Sequence, residues 1–139
     1  MSVITKAIFD VLNGDATLTA LLGTFNGNAA IFTTDPPPSK AVLPYIVSAG
    51  DVSNAPVTSK NAPGQTPTRD IRCYTDATGT AKTVEDIANR VTVLFERQII
   101  AITGFDTIIA STSGPITVDE EDIYGRVVTV SLTIMESTV

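Results

Sequence analysis

The side chains that most often do chemistry are scarce in this sequence. Histidine is absent and Cys73 is the single cysteine. A serine or cysteine nucleophile commonly works through a nearby base, and histidine is the usual one. Without that base, Cys73 reads as a packing residue: it alternates with Ile71 in a strand-like run, and free cysteine favours interiors. One cysteine forms no intrachain disulfide, and a zinc site would need carboxylates almost alone. Asp119-Glu120-Glu121-Asp122 is a dense group of hard oxygen ligands that could suggest a cation. A calcium loop of the EF-hand type spaces its ligands around a central glycine, and this run has neither feature. It reads better as a charged hairpin turn that discourages edge-to-edge strand pairing, with a charged protein contact as its second use.

Two further patterns fall short of a site. Thr78-Gly79-Thr80-Ala81-Lys82-Thr83 puts a lysine before a threonine near a helix start, but lacks the glycine before the lysine and the spaced first glycine of a phosphate loop. Arg69, Arg72, Lys60 and Arg126 could form a basic strip on one sheet face. The aromatic interleaving of a single-strand binder is thin, with three tyrosines and no tryptophan. Pairing with Asp70 or Asp51 is the better reading of these cations. The net charge of −6 also argues against holding nucleic acid through its phosphates. No catalytic residue, metal ligand or cofactor-binding residue is assigned, and the chain is expected not to be an enzyme.

The elements that carry these residues follow from periodicity. At 139 residues, 43% of them hydrophobic, the chain is expected to form one domain over 1–139 and to bury roughly two-thirds of its unfolded surface. Its apolar runs are about four residues long, well short of the roughly 20 that span a membrane. The first residues lack a basic segment followed by an apolar run, so no cleaved export signal is expected. Ile4, Ala7, Ile8, Val11 and Leu12 mark one face of a helix over 3–12. Asn13-Gly14 ends it, and Asp15 is placed to cap a second helix with Leu18, Leu21 and Leu22 as its stripe. Strands are predicted over 29–33, 43–52 and 68–75. Asp35-Pro36-Pro37-Pro38 stops the first, and Pro44 lies near the start of the second. Residues 53–66, rich in Ser, Thr, Asn, Pro and Gly, read as a long hairpin loop, and such loops are usually functional or disordered. Val84, Ile87, Ala88, Val91, Leu94 and Phe95 stripe a third helix over 80–96. Two more strands follow, over 106–118 and 124–136, on either side of the acidic run. The predicted order is αα-βββ-α-ββ, an α+β fold whose helices cover one face of a mostly antiparallel sheet.

Laid out in this way, the chain resembles the tail-completion or tail-terminator family of long-tailed phages. The likeness lies in the N-terminal amphipathic helix before Asp15-Ala16-Thr17-Leu18-Thr19-Ala20-Leu21-Leu22-Gly23, in the Leu43-Pro44-Tyr45-Ile46-Val47 strand, and in Ile71-Arg72-Cys73-Tyr74 followed by the 81–96 helix. It covers nearly the whole chain. The proline- and threonine-rich 53–66 stretch departs from it. The resemblance implies a structural subunit of a hexameric ring on the head-proximal end of the tail tube. Such a ring ends tube polymerisation and joins the tail to the head-side connector. Its implied partners are further copies of itself, the major tail tube protein and the head-tail connector protein. DNA would pass through the lumen without specific binding, and no membrane is involved. The implied location is the neck region of the virion tail, after synthesis in the host cytoplasm. Asn54, Ser59, Lys60, Asn61 and Gln65 of the long loop are candidate protein-contact residues, as are Asp119, Glu120, Glu121 and Asp122. Two other readings stay open: another neck, connector or minor tail protein, and a small ligand- or peptide-binding module.

Overall fold

The computed structural model of the chain describes residues 3–34, 37–48, 53–57, 64–77 and 80–136. Its first helix, α1 (Val3–Asn13), buries Ile4, Ala7, Ile8 and Leu12, the face that the three- and four-residue spacing marks out. Asp15 then caps α2 (Ala16–Thr19), its carboxylate accepting from the Leu18 amide at 2.8 Å. The same carboxylate takes Nε and Nη2 of Arg90, each at 2.8 Å. Arg90 belongs to α3 (Lys82–Phe95), so one side chain fixes where the short N-terminal helices meet the long one.

This contact gives the fold an acid-sensitive tie. The Arg90 hydrogen bonds, helped by the Leu18 amide, hold the Asp15 carboxyl below its ordinary value of 3.8 against the opposing effect of burial. A carboxyl lowered by folding contributes stability above its unfolded pKa and loses that contribution as the pH falls through its folded pKa. Asp15→Ala is therefore expected to cost about 1 kcal/mol at neutral pH through the lost cap alone. The gap between wild type and variant should narrow once the pH falls below 3.8. Urea denaturation at neutral and strongly acid pH checks this; an equal gap at both would show that Asp15 acts only as an uncharged spacer.

A hairpin, β1 (Thr24–Phe25) and β2 (Asn28–Ala29), turns through Asn26 and Gly27, both at positive φ (51° and 81°). That is what an Asn-Gly two-residue turn demands. The main six-stranded sheet has the order β3-β4-β6-β8-β7, with β5 added on β6. Its strands are β3 (Ile31–Phe32), β4 (Tyr45–Val47), β5 (Ser53–Val57), β6 (Gly64–Asp76), β7 (Phe105–Thr117) and β8 (Ile123–Glu136). β3 and β4 pair in parallel; the other pairs are antiparallel. The chain leaves β6, runs through α3 and returns as β7, so β6 and β7 are parallel with β8 between them.

Alternation decides the two faces of the sheet. Val128, Val130, Leu132 and Ile134 of β8 point to the helices with Ile71 and Cys73 of β6, Ile46 of β4 and Ala110 of β7, and all are buried. They meet Val84, Ile87, Ala88, Val91 and Phe95 of α3, each fully buried. The fold is thus α+β, with a mostly antiparallel sheet and helices on one face, as the periodicity predicts.

The stretch between α2 and α3 is divided more finely than three strands. The 29–33 run splits into β2 and β3 around Ala30. The loop predicted over 53–66 is a paired strand at both of its described ends. Ser53 lies opposite Thr68, and Val57 opposite Gly64. Prolines did not prevent this. Pro56 and Pro67 fall in pairs of the same parity, opposite Gln65 and Asn54, so both can occupy positions whose missing N–H is not needed between β5 and β6. The absence is felt on the other side of β6. The β6–β8 ladder runs from Gly64↔Met135 to Asp76↔Ile123 and is interrupted between Gln65 and Thr68, at Pro67.

Candidate functional site

With helices on one side only, the other face of the sheet carries residues of the opposite parity. It divides into two regions. Toward β5 it is a hydroxyl surface: Thr68 and Ser131 hydroxyls lie 3.3 Å apart, and Thr129 donates to Asp70 at 2.8 Å. Toward the β7–β8 turn it is aromatic and apolar. Phe25, Phe32, Tyr45 and Tyr74 form a ladder with ring centroids 5.3, 5.7 and 5.6 Å apart in sequence order. Beside Tyr74 lies a shallow depression of about 430 Å³, lined by Asp70, Arg72, Ile116, Val127 and Glu120 among others. Ile116 is 59% exposed on its floor. Burial, with Tyr74 and Glu120 adding to it, raises the Tyr45 hydroxyl above its ordinary value. This aromatic end of the face was not anticipated from the sequence. Its signal was available, since Tyr45 and Tyr74 each sit at the exposed parity of a strand.

The acidic run sits at the rim of this depression. Glu120 and Ile123 exchange backbone hydrogen bonds of 2.9 and 3.2 Å, so Glu121 and Asp122 form the tip of a tight turn, with Asp122 at φ 65°. Glu120, Glu121 and Asp122 are exposed. Asp119 is different. Its Oδ1 accepts from the Gly125 amide at 3.0 Å and from Arg126 Nη1 at 2.8 Å. Arg126 is buried on the helix side, 10% exposed, and its other nitrogen lies 3.4 Å from Glu85 of α3. Gly125 keeps the turn close: a Cβ there would stand 2.9 Å from the Val118 carbonyl and 3.0 Å from the Tyr74 ring. The run is therefore a turn with one structural carboxylate and three exposed ones.

The remaining candidates fall as follows. Asn54 donates to Gln65 at 2.6 Å across β5 and β6, and Asn54 is exposed. Ser59, Lys60 and Asn61 lie outside the described residues. The suggested basic strip does not form. Arg69 and Arg126 point to the helix side, where Arg69 donates to the Thr5 hydroxyl of α1, while Arg72 lies on the open face. Residue parity decides this: 69 shares the orientation of Ile71 and Cys73, and 72 does not. Cys73 is fully buried, and burial pushes its thiol up to about 12, far from a reactive thiolate. Lys82 pairs with Asp86 one helical turn on, at 2.7 Å. Among the described residues there is no group of three or more Cys, Asp or Glu arranged to hold a metal ion, and no helix is long and apolar enough to cross a membrane.

At the edge of the sheet the chain leaving α3 turns back along β7. The Arg97 amide donates to the Ala110 carbonyl at 2.8 Å, and the Ala110 amide to the Gln98 carbonyl at 2.9 Å. The Glu96 carboxylate accepts from the Thr112 amide at 3.1 Å and from the Thr112 hydroxyl. These bonds hold the Glu96 carboxyl below its ordinary value. The middle of the β7 edge is thus already paired, which removes a template for strand addition. The same segment leaves Ile99 76% exposed, near the exposed Val93 and Arg97.

The arrangement offers surfaces rather than a reaction centre. A family model described as "Tail completion protein gp17" matches residues 6–135. No curated protein matches the sequence. Among solved structures, a chain of the "Virion of native gene transfer agent (GTA) particle" is similar in fold, with a TM-score of 0.78 and 21% identity over 95% of this chain and 94% of that one. A second solved chain has a TM-score of 0.57 and 12% identity over 99% of this chain and 95% of its own length.

Proposed function

We propose, since the chain belongs to the tail completion protein gp17 family, that it acts by closing into a hexameric ring at the head-proximal end of the tail tube. As a member of that family it is a structural protein of the phage tail. In the proposed reading the ring ends polymerisation of the tube protein and offers its far side to the head-tail connector, in the neck of the virion. The observation that carries this is the family match across nearly the whole chain. The fold shared with a chain of a gene transfer agent virion supports a place in a phage-like particle. The chemistry is consistent. Cys73 is inert, and the groups outside the core present hydroxyls, aromatic rings and carboxylates to a partner. Each copy adds a charge of −6, and a lumen lined by carboxylates would let DNA pass by repulsion rather than hold it.

The test is to add the purified chain to the tube protein under polymerising conditions and to measure tube lengths and ends by electron microscopy. Shortened tubes with a ring at one end are the expected result. Tube lengths that do not respond, together with binding to the head-side connector ring, would move the protein to a connector role instead. Native mass spectrometry over a concentration series tests the ring itself, with a six-copy species expected.

A further inference from the structure

We infer that neighbouring copies of this chain join head to tail, the aromatic end of one copy's open sheet face receiving the exit of α3 from the next. The inference rests on the ring reading above and names the two surfaces that would build it.

The two surfaces match in chemistry. The receiving surface has an apolar floor, Tyr74 and Ile116, ringed by the carboxylates of Asp70 and Glu120 and by one cation, Arg72, which Glu121 and Asp122 outweigh. Glu121 and Asp122 extend the negative charge along the turn. The donor surface has two exposed apolar side chains, Val93 on the last turn of α3 and Ile99 beyond it, on either side of Arg97. Arg97 is 86% exposed and, among the described residues, reaches a carboxylate only at 4.0 Å, that of Glu96. Glu96 is itself committed to Thr112, so Arg97 is positioned to meet a second acid. The cations of α3 itself are occupied: Lys82 by Asp86 and Arg90 by Asp15.

The two surfaces are made by different segments. The floor is on the face that the helices leave open, toward the β7–β8 turn; the donor follows α3 and lies along the β7 edge beside Ala110. A copy that uses one toward its neighbour therefore keeps the other free. Such a contact is heterologous, and it closes into a ring when the rotation between copies permits. Both surfaces are also rigid. The donor segment is pinned to Ala110 by two backbone hydrogen bonds, and the floor is made of sheet, so little ordering cost is added on contact.

Two single variants test this, Ile116→Asp on the floor and Ile99→Asp on the donor. Both positions are exposed, so folding should be kept, and circular dichroism with a thermal melt confirms it. Each variant alone is expected to weaken self-association at least tenfold, read by native mass spectrometry and sedimentation over a concentration series. Mixed together, they should give a one-to-one dimer that neither forms alone, because each still carries the half that the other lacks. If the unmodified chain assembles and both variants assemble equally well, this pairing is overturned while the ring reading stands. If the unmodified chain remains monomeric throughout, the pairing is again overturned, and the ring reading then depends on the tube-end experiment. If the mixture gives no dimer although each variant is impaired, the two residues do not face each other and the head-to-tail pairing is wrong.

Discussion

Asp119→Ala is expected to lower the unfolding free energy by about 2–3 kcal/mol, a large loss for one residue of an exposed turn. The carboxylate is bonded to the Gly125 amide and to Arg126. Removing one partner of a fully buried pair costs roughly 3–5 kcal/mol, because the other charge is left uncompensated. The loss is smaller here because Asp119 is 40% exposed and Glu85 still lies near the second nitrogen of Arg126. The triple variant Glu120→Gln, Glu121→Gln, Asp122→Asn should by contrast stay within about 0.5 kcal/mol of wild type, as substitutions at exposed positions do. Within the acidic run, Asp119 is therefore expected to matter for folding and the other three residues are not. Urea unfolding separates the two cases, and equal stabilities would remove the structural role assigned to Asp119. The triple variant also isolates any part that the three exposed carboxylates play in assembly or DNA passage. If ring formation, tube capping and infectivity are unchanged in it, those three residues are only a solvated turn.

Phe95→Ala is expected to cost about 3–5 kcal/mol, the usual range for emptying a fully buried aromatic site. Against a total of about 5–15 kcal/mol for an ordinary domain, that leaves little margin. A fall of about 10–20 °C in Tm follows for a chain of this length. Phe95 is fully buried and is the last residue of α3. Directly after it the chain reverses to pair with Ala110 and to place Glu96 on Thr112. Loss of the ring should therefore also loosen the segment that protects the β7 edge. Hydrogen exchange at the Ala110 and Thr112 amides is expected to rise by more than global destabilisation alone explains. Phe95→Leu, which keeps most of the volume, should retain most of the stability. A loss below about 1 kcal/mol for Phe95→Ala would mean that the site collapses freely and that α3 is not anchored by its end.

Both predictions bear on the same functional point. An assembly subunit needs its surfaces held in fixed relation, and Asp119 and Phe95 do this for the turn beside the open sheet face and for the exit of α3. Their variants are expected to impair tube capping through misplacement of these surfaces. The Ile116 and Ile99 variants should impair it with the fold intact.

Much of the fold was legible along the chain because its cause is local. The stripe Val84, Ile87, Ala88, Val91, Phe95 is a property of one helix, and the alternation Val128, Val130, Leu132, Ile134 of one strand, so neither needed a partner to be seen. The cap at Asp15 is equally local. Asn26-Gly27 is a hairpin signal of the same kind, hidden because the run after it, Ala29 to Thr33, reads as a single strand.

The sequence by itself determined that this chain has no histidine, one cysteine in a core-facing register, and the helix and strand periods of an α+β domain. It determined too the motif order by which it resembles a phage tail family. The tertiary structure alone decided what each polar residue does. Arg69 and Arg126 became helix-side groups because their partners Thr5 and Glu85 arrive from 64 and 41 residues away, and Asp119 is set apart from the rest of the acidic run because the folded β7–β8 turn brings the Gly125 amide and Arg126 onto it. It decided that Ser53–Val57 is a strand, since a proline-bearing segment pairs only where the opposing register leaves its missing N–H unneeded. It also decided that Tyr74 and Ile116 share one open surface, because only the β6–β8–β7 ladder brings them together. Local periods are written in neighbouring residues; the face to which a side chain is committed depends on strands that meet only after the chain has folded.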